Sequence, residues 1–453
     1  MTATTTAVPR RTRATTWWPD ALGSVAVLSL LVVVALWVSN GNLQALGQGW
    51  AGITSLGRLT GLVSADLLLV QVLLMARIPW IERTYGQDRL ARWHRWTGFT
   101  SFHLMIAHVV LITLGYAAGH ELVREAWDLV TTYPGMLLAT AGTALLVLVV
   151  VTSMRAARRR LRYESWHLLH LYAYLGVGLA LPHQLWTGGD FTASPVATGY
   201  WWTVYALAAG SVLLFRLGVP LWRSARHRLT VAAVVPEAHG VVSVYLRGRH
   251  LDRLPVRAGQ FFCWRFLDGP GWSRAHPYSL SEAPRGDRLR ITVKELGDGS
   301  GRVARLRPGT RVLIEGPYGR LTGDARTGRR MTLLACGVGI TPLRALLEEQ
   351  HYGPGEAVLL YRARTAADLV FRAELDALAQ ARGIRLAYLV GPRGRGHSWL
   401  PAGYRGGLRD LVPDIAWHDV YVCGPESWMT AAVAAARVAG VPEERIHLER
   451  FAW

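Results

Sequence analysis

Six histidines lie in or beside two apolar stretches of this chain, and they pose the first chemical question. His94, His103 and His108 fall in or just before Thr97–Tyr116, and His167, His170 and His183 in or just after Trp166–Leu181. Ionisable side chains are expensive in a bilayer, so a group of them on two helices needs a reason. Any one alone reads as an interfacial or bundle-facing histidine satisfied by a hydrogen bond. Together they make a pattern. His94 and His108 are 14 residues apart, His170 and His183 are 13 apart, and at 1.5 Å per residue each pair spans about 20 Å. That is the height of two haems stacked across a membrane, each held by one histidine from each helix. The spacing therefore predicts bis-histidine iron sites at His94/His170 and His108/His183. Fourteen residues return to within ~40° of the starting face, but thirteen return ~140° away. Pro182 is expected to break the regular hydrogen bonding and re-aim the last turn of its helix. His103 and His167 are read as structural.

Six apolar segments must position these groups: Ala21–Val38, Leu59–Met75, Thr97–Tyr116, Gly135–Val151, Trp166–Leu181 and Tyr200–Leu217. Each approaches the ~20 residues of a spanning helix once its interfacial ends are added. The first is too long for a cleaved signal peptide and lacks a clean small-residue cleavage site. Arginines set the orientation. Arg10, Arg11 and Arg13 precede segment one. Arg77, Arg83, Arg89, Arg92 and Arg95 follow segment two, and Arg155, Arg158, Arg159, Arg160 and Arg162 follow segment four. The alternate loops carry only Arg124. Both termini are thus expected in the cytoplasm of a multi-pass cell-membrane protein. Arg58 should lie at the outer interface, either paired with a haem propionate or as a simple anchor. Asp66 lies deeper and must face the bundle as a polar partner.

Composition agrees with a chain that is half membrane and half soluble. Of 453 residues 51% are hydrophobic and 18% charged, which excludes a disordered chain, a collagen-like fibre and a coiled coil. The net charge of +19 could suggest nucleic acid, but residues 1–222 hold sixteen basic and nine acidic groups, set between apolar runs. No nucleic-acid partner is expected. Cys263, Cys336 and Cys423 are too few and too scattered for a disulfide framework, a Cys₄ zinc site or a cysteine-ligated iron–sulfur cluster.

From Arg223 the pattern becomes short alternating strands, Leu229–Val235, Val241–Leu246, Gln260–Phe266 and Arg288–Lys294, which suggest a small antiparallel barrel. After Arg330, apolar strands (Met331–Ala335, Ala357–Tyr361, Arg385–Val390, Val420–Cys423) alternate with helical stretches, the signature of a parallel sheet. The first of these strands runs into Gly337-Val338-Gly339-Ile340-Thr341-Pro342 and a helix. Glycines there let backbone approach a pyrophosphate at a helix N-terminus, and Pro342 suits the first turn. The expected domains are a cytoplasmic tail (1–20), a transmembrane haem domain (21–222), a flavin-binding β-barrel (223–325) and an α/β nucleotide-binding domain (326–453).

This order of parts resembles the ferric-reductase-like transmembrane oxidoreductases, which include the NADPH oxidases and the iron and copper reductases. His276-Pro277-Tyr278-Ser279-Leu280-Ser281 looks like the family's flavin motif. The resemblance implies that Tyr278 packs on the isoalloxazine of FAD and that Ser279 bonds near its N5. Lys294 through Gly297, Gly299 and Ser300 looks like the segment that holds the FAD pyrophosphate, with Ser300 placed to cap the helix that follows. Gly337, Gly339, Thr341 and Pro342 resemble the dinucleotide pyrophosphate loop. Cys423-Gly424-Pro425 resembles the tripeptide under the nicotinamide. The ending, with Phe451 and Trp453, resembles the aromatic terminus that covers the flavin. Arg362 and Arg364 stand where a 2′-phosphate would be held, or else form a solvated face; the reading favours NADPH, with NADH as the alternative. Animal NADPH oxidases carry a further histidine where this chain has Ile112, which puts a polar oxygen site there in doubt.

These parts imply electron flow from NADPH through FAD and two b-type haems to an acceptor outside, because a flavin converts a hydride into single electrons. With both axial positions of the outer haem filled, oxygen would take one electron at the haem edge and give superoxide, and a ferric chelate could use the same edge. Two rival readings are a membrane-anchored subunit feeding a partner enzyme or the quinone pool, and a transporter with a regulatory nucleotide-binding domain.

Overall fold

The computed structural model describes residues 17–161, 163–394 and 398–449. The chain divides into two compact units, residues 1–213 and 214–453. In the first, each expected apolar segment is helical: α1 Trp17–Ser39, α2 Trp50–Met75, α3 Gln87–Ala117, α4 Met136–Ser153, α5 Tyr163–Trp186 and α6 Pro195–Ser211. A π-helical stretch, Val212–Gly218, then leads to α7, Val219–His227. Among the described residues Ala21–Ser39, Trp50–Met75, Gln87–Ala117, Met136–Ser153 and Pro195–His227 are long and apolar enough to cross a bilayer. The apolar character of α5 is diluted by its three histidines and its proline.

One expectation needs correction. α3 begins ten residues before Thr97, so Arg89, Arg92, His94 and Arg95 are helical rather than part of a loop. Gly86, at φ +77°, supplies the break before it, and the stretch that follows contains no glycine or proline until Gly98. Pro182 does not end α5, which continues to Trp186. Membrane helices tolerate an internal proline where neighbouring groups re-satisfy the freed backbone.

The helices pack as α2 with α3 and α4 with α5. Between α2 and α3, Ser64 Oγ donates to the Ser101 carbonyl at 2.7 Å and Ser101 Oγ donates to the Ser64 carbonyl at 2.8 Å. Between α4 and α5, a Cβ at Gly142 would lie 2.6 Å from the Gly176 carbonyl oxygen, so small residues are what allow the close approach. Val33, Trp37, Leu62, Leu69 and Trp201 form a core shared by α1, α2 and α6. Asp66 is fully buried there. Its Oδ1 accepts from Ser29 Oγ at 2.6 Å and from Tyr200 OH at 2.8 Å, tying the same three helices together.

The second unit contains two antiparallel three-stranded sheets. One has the order β1 (Thr230–Ala238), β2 (Val241–Arg247), β5 (Arg288–Lys294); the other has β4 (His276–Ser279), β3 (Phe261–Phe266), β6 (Val312–Tyr318). Val244, Leu246, Phe262, Trp264, Ile291 and Ile314 fill the space they enclose. A five-stranded parallel sheet follows, formed by β7 (Met331–Cys336), β8 (Ala357–Ala363), β9 (Arg385–Val390), β10 (Asp419–Cys423) and β11 (Ile446–Leu448), in the order β11-β10-β7-β8-β9. Its crossovers include α8 (Ile340–Glu349), α9 (Arg372–Arg382) and α10 (Glu426–Val438).

Arginines and glutamates join the antiparallel part to the parallel sheet. Arg290, 2% exposed, reaches Glu374 Oε1 at 2.9 Å, and Arg344 reaches Glu374 Oε2 at 2.8 Å and Glu348 at 2.7 Å. Phe371 lies under both guanidinium groups, 4.7 Å from that of Arg290 and 5.9 Å from that of Arg344. Burial opposes charge on Glu348, yet the Ala283 N–H with Arg344 and Arg285 outweighs it and holds the carboxyl below its ordinary value of 4.5. A carboxyl held low in the folded state stabilises above its unfolded pKa, and that contribution is lost as pH falls through the lower folded value. The melting temperature of the full chain in detergent should therefore drop as pH is lowered below about 4.5. Glu348→Gln should melt lower at pH 7 and lose less on acidification; equal acid losses in the two proteins would contradict this.

Candidate functional site

The histidine pairs expected from spacing meet in space. The His94 and His170 rings lie 5.9 Å apart between centroids, and those of His108 and His183 lie 6.3 Å apart. Two imidazoles bound to one metal from opposite sides, with metal–nitrogen bonds of ~2 Å, separate their centroids by about 6 Å. The residues thus fit a metal between the rings of each pair. Among the described residues no group of three or more His, Cys, Asp or Glu is gathered to hold an ion, so each pair offers two protein ligands.

Each of these histidines uses Nδ1 for a protein contact. His94 Nδ1 faces the Gln71 carbonyl at 3.2 Å, and His108 Nδ1 faces the Gly57 carbonyl at 2.8 Å. His170 Nδ1 is 3.1 Å from Ser153 Oγ, and His183 Nδ1 is 2.7 Å from Thr187 Oγ1. Partners of this kind orient a ligand ring and leave Nε2 for the metal. They are the functional residues that side-chain reading missed. Gln71 and Gly57 act through backbone, but Thr187 stands one helical turn after His183, and that spacing was readable. Gly61 makes room for the imidazole, since a Cβ there would lie 2.5 Å from His108 Nδ1. His103 Nδ1 contacts the Phe99 carbonyl of its own helix at 2.7 Å, outside the pairs. The exposed Arg58 donates to Asn42 Oδ1 at 3.4 Å. Ile112 packs on Gly57.

In the second unit, the expected flavin motif forms β4 beside β3. His276 and Tyr278 stack with 6.1 Å between centroids and 14° between planes, and burial pushes the Tyr278 hydroxyl up to about 12. Pro277 lies opposite Cys263 in the β3 register. Ser279 Oγ is buried with no hydrogen-bond partner among the described residues. A buried hydroxyl left over in this way fits a bound group that bonds it, as expected of a flavin. Ser281 is placed otherwise: fully buried, it accepts a bond from Thr292 Oγ1 at 2.8 Å, and its carbonyl accepts from Arg290 and Arg344. It supports the motif from behind. Gly299 lies against His276, where a Cβ would come 2.7 Å from Cε1. Lys294 ends β5, exposed, and Gly297 is exposed in the turn beyond. Ser300 does not cap a following helix. Its hydroxyl accepts from the N–H groups of Leu296 and Gly297 and closes the preceding turn.

The dinucleotide elements converge at the carboxyl ends of β7 and β10, the ordinary ligand edge of a parallel sheet. Gly337 adopts φ +55°. A Cβ at Gly339 would lie 2.3 Å from the Cys423 carbonyl oxygen, and one at Gly424 would lie 2.8 Å from Cys336 Cβ. Thr341 Oγ1 donates to the Val338 carbonyl at 2.9 Å, and Pro342 is buried in the first turn of α8. Pro425 precedes α10 as its cap. Burial pushes the Cys423 thiol up, and that of Cys336 up to about 11. Arg364 is exposed, but Arg362 is 5% exposed and donates to the carbonyls of Ala363 and, at 3.1 Å, Leu389. The expected pair of phosphate-binding arginines is thereby reduced to Arg364, because the strand ends occupy Arg362. Phe451 and Trp453 lie outside the described residues.

Comparison with known proteins agrees with both halves. Residues 60–181 match the ferric reductase like transmembrane component family, and residues 333–434 match the oxidoreductase NAD-binding domain. The ferredoxin reductase component of 3-ketosteroid-9-alpha-monooxygenase from Mycolicibacterium smegmatis is 35% identical over 49% of this chain and 65% of its own length. Ferredoxin–NADP reductase B of Sorangium cellulosum is 33% identical over 40% of this chain and 80% of its own. A flavohemoprotein of Bordetella pertussis is 32% identical over 51% of this chain and 60% of its own. The chain spans less than two thirds of the length of the first and third of these. Among solved structures, the FAD/NAD binding domain of a Vibrio cholerae nitric oxide dioxygenase is 25% identical with a TM-score of 0.42, covering 50% of this chain and 99% of that one. Fold and matches define a membrane domain fused to a reductase domain of the ferredoxin–NADP reductase type, an NAD(P)H-dependent electron-transfer class. The chain thus combines a ferric-reductase-like transmembrane component with an oxidoreductase NAD-binding domain, consistent with a ferric-reductase-like transmembrane oxidoreductase.

Proposed function

We propose that the chain carries electrons from cytoplasmic NADPH, by way of FAD and two b-type haems, to an acceptor on the outer side of the cell membrane. The observation that carries this reading is the meeting of His94 with His170 and of His108 with His183 at the spacing of an interposed metal. When bound, the nicotinamide gives a hydride, the flavin divides it and each haem accepts one electron. The chain's own residues hold and orient. The two histidine pairs fix the iron sites at two heights. Tyr278 packs on the flavin, Ser279 supplies the leftover hydroxyl, and Gly297 and Gly299 open backbone to its phosphates. Gly337 to Pro342 receive the dinucleotide pyrophosphate, Cys423 to Pro425 lie under the nicotinamide, and Arg364 faces the 2′-phosphate. Arginine-rich loops place both termini in the cytoplasm.

With His108 and His183 both held as ligands, an acceptor would have to reach the outer haem at its edge. Oxygen there yields superoxide, and a ferric chelate is reduced by the same outer-sphere step; Ile112, packed on Gly57, offers neither a special partner. A second reading, a membrane-anchored subunit that supplies a partner enzyme or the quinone pool, is favoured by relatives named as monooxygenase reductase components. Liposomes carrying the purified chain, with NADPH outside and cytochrome c or a ferric chelate trapped inside, separate the two. Reduction of the trapped acceptor by this chain alone supports the first reading. Reduction only of acceptors on the NADPH side contradicts it. Dismutase sensitivity in air, set beside ferric reduction under nitrogen, identifies the acceptor.

Two substitutions follow. His170→Leu should lose the inner haem and stop transfer while FAD stays bound, and unchanged haem content in that protein would remove the assignment. Arg364→Ala should narrow the kcat/KM preference for NADPH over NADH about tenfold or more, since a charge-assisted contact contributes roughly 1.5–3 kcal/mol. An unchanged ratio would return Arg364 to a solvated face.

A further inference from the structure

The hydrogen bonds behind the four histidines differ in kind, and the difference assigns roles to two hydroxyls. A carbonyl can only accept, so Gln71 and Gly57 require His94 and His108 to carry their proton on Nδ1. Thr187 has a single O–H, and it donates to the His183 carbonyl at 2.8 Å. With that O–H on the carbonyl, the 2.7 Å contact with His183 Nδ1 runs the other way, the imidazole N–H donating into Oγ1. Thr187 thereby fixes the tautomer that leaves His183 Nε2 bare. At the other level Ser153 Oγ accepts from Trp166 Nε1 at 3.3 Å and lies 3.1 Å from His170 Nδ1. One lone pair remains for an Nδ1–H of His170. The Trp166 ring also packs against the His170 ring, 5.0 Å between centroids, and the Arg158 guanidinium lies 4.6 Å from the centroid of the Trp166 ring.

Resting on the haem reading above, we propose that Thr187 and Ser153 are positioning residues, one for each haem: Thr187 sets the ligand tautomer and reduction potential at the outer site, and Ser153 does so at the inner one. The α2 partners are backbone groups that no side-chain change removes, which leaves these two hydroxyls as the adjustable bonds. An acceptor on Nδ1–H raises the basicity of the imidazole and so favours ferric over ferrous iron. Losing it raises the potential.

The test is a spectroscopic redox titration of the full-length, haem-loaded protein in detergent. Thr187→Val keeps the side-chain shape and removes the hydroxyl. It should raise one of the two reduction steps, by about 59 mV if the ferric preference falls tenfold, and leave the other in place. Thr187→Ser should restore the wild-type step, and Ser153→Ala should raise the other step alone. Loss of a single haem in Thr187→Val, with retention in Thr187→Ser, supports the same assignment. Two bound haems whose potentials move in neither variant, or one step moved by both variants, would overturn it. So would failure of Thr187→Ser to restore. A wild-type protein that binds no haem would instead overturn the haem reading itself, and this proposal with it.

Discussion

The first unit depends on a seven-residue ladder between α2 and α3. Gly57, Ser64 and Gln71 on one helix meet His108, Ser101 and His94 on the other, through bonds of 2.8, 2.7 and 3.2 Å. Both sets are spaced by seven, so an antiparallel pair in steady contact brings each rung into register with the next. In a bilayer every polar group must find its partner within the protein, which makes a slip of one residue costly at all three rungs together. The ladder therefore fixes both the height and the facing of His94 and His108. α5 then brings His170 and His183 to the same two levels, closely packed on α4 through Gly142 and Gly176. A scaffold of this kind suits groups that must stand at fixed separation while nothing around them moves.

The second unit solves a different problem, the joining of two small layers that each bind part of a cofactor system. Arg290 is almost wholly enclosed and is held by Glu374, Tyr245 and the Ser281 carbonyl. Arg344 reaches the same carbonyl from α8, the helix that begins at the Gly337–Pro342 loop. The last residue of the flavin motif, Ser281, is thus tied to the helix of the dinucleotide loop. Substituting one member of such a network leaves a buried charge without its partner, which is more damaging than the net value of the pair suggests. The arginine excess of the sequence is here partly structural.

Much of this was legible in the chain before its structure. The meeting of the four histidines in two pairs, the strand–glycine–helix of residues 331–350 and the order of a helical region before the sheets followed from spacing and periodicity. What was not legible depended on tertiary placement. Arg362 and Arg364 look alike in sequence, but Arg362 lies within β8 and is engaged by the carbonyls of Ala363 and Leu389, whereas Arg364 lies just past the end of the strand and is exposed. Ser279 and Ser281 differ by their neighbours: Thr292 Oγ1 reaches the Ser281 hydroxyl, while that of Ser279 has no partner among the described residues. Ser300 was read as a forward cap although its hydroxyl reaches back to close a turn. Asp66 gained its role only once Ser29 and Tyr200, 37 and 134 residues away, were seen to converge on it.

The claim that everything else rests on is that the ladder and its two partner histidines make two haem sites of the same kind. Its most direct test is haem quantitation on the purified, FAD-saturated chain, together with low-temperature electron paramagnetic resonance of the oxidised protein. The account predicts two non-covalent haems per chain, both low-spin and bis-histidine. One haem per chain, or a high-spin signal showing an open axial position, would contradict it.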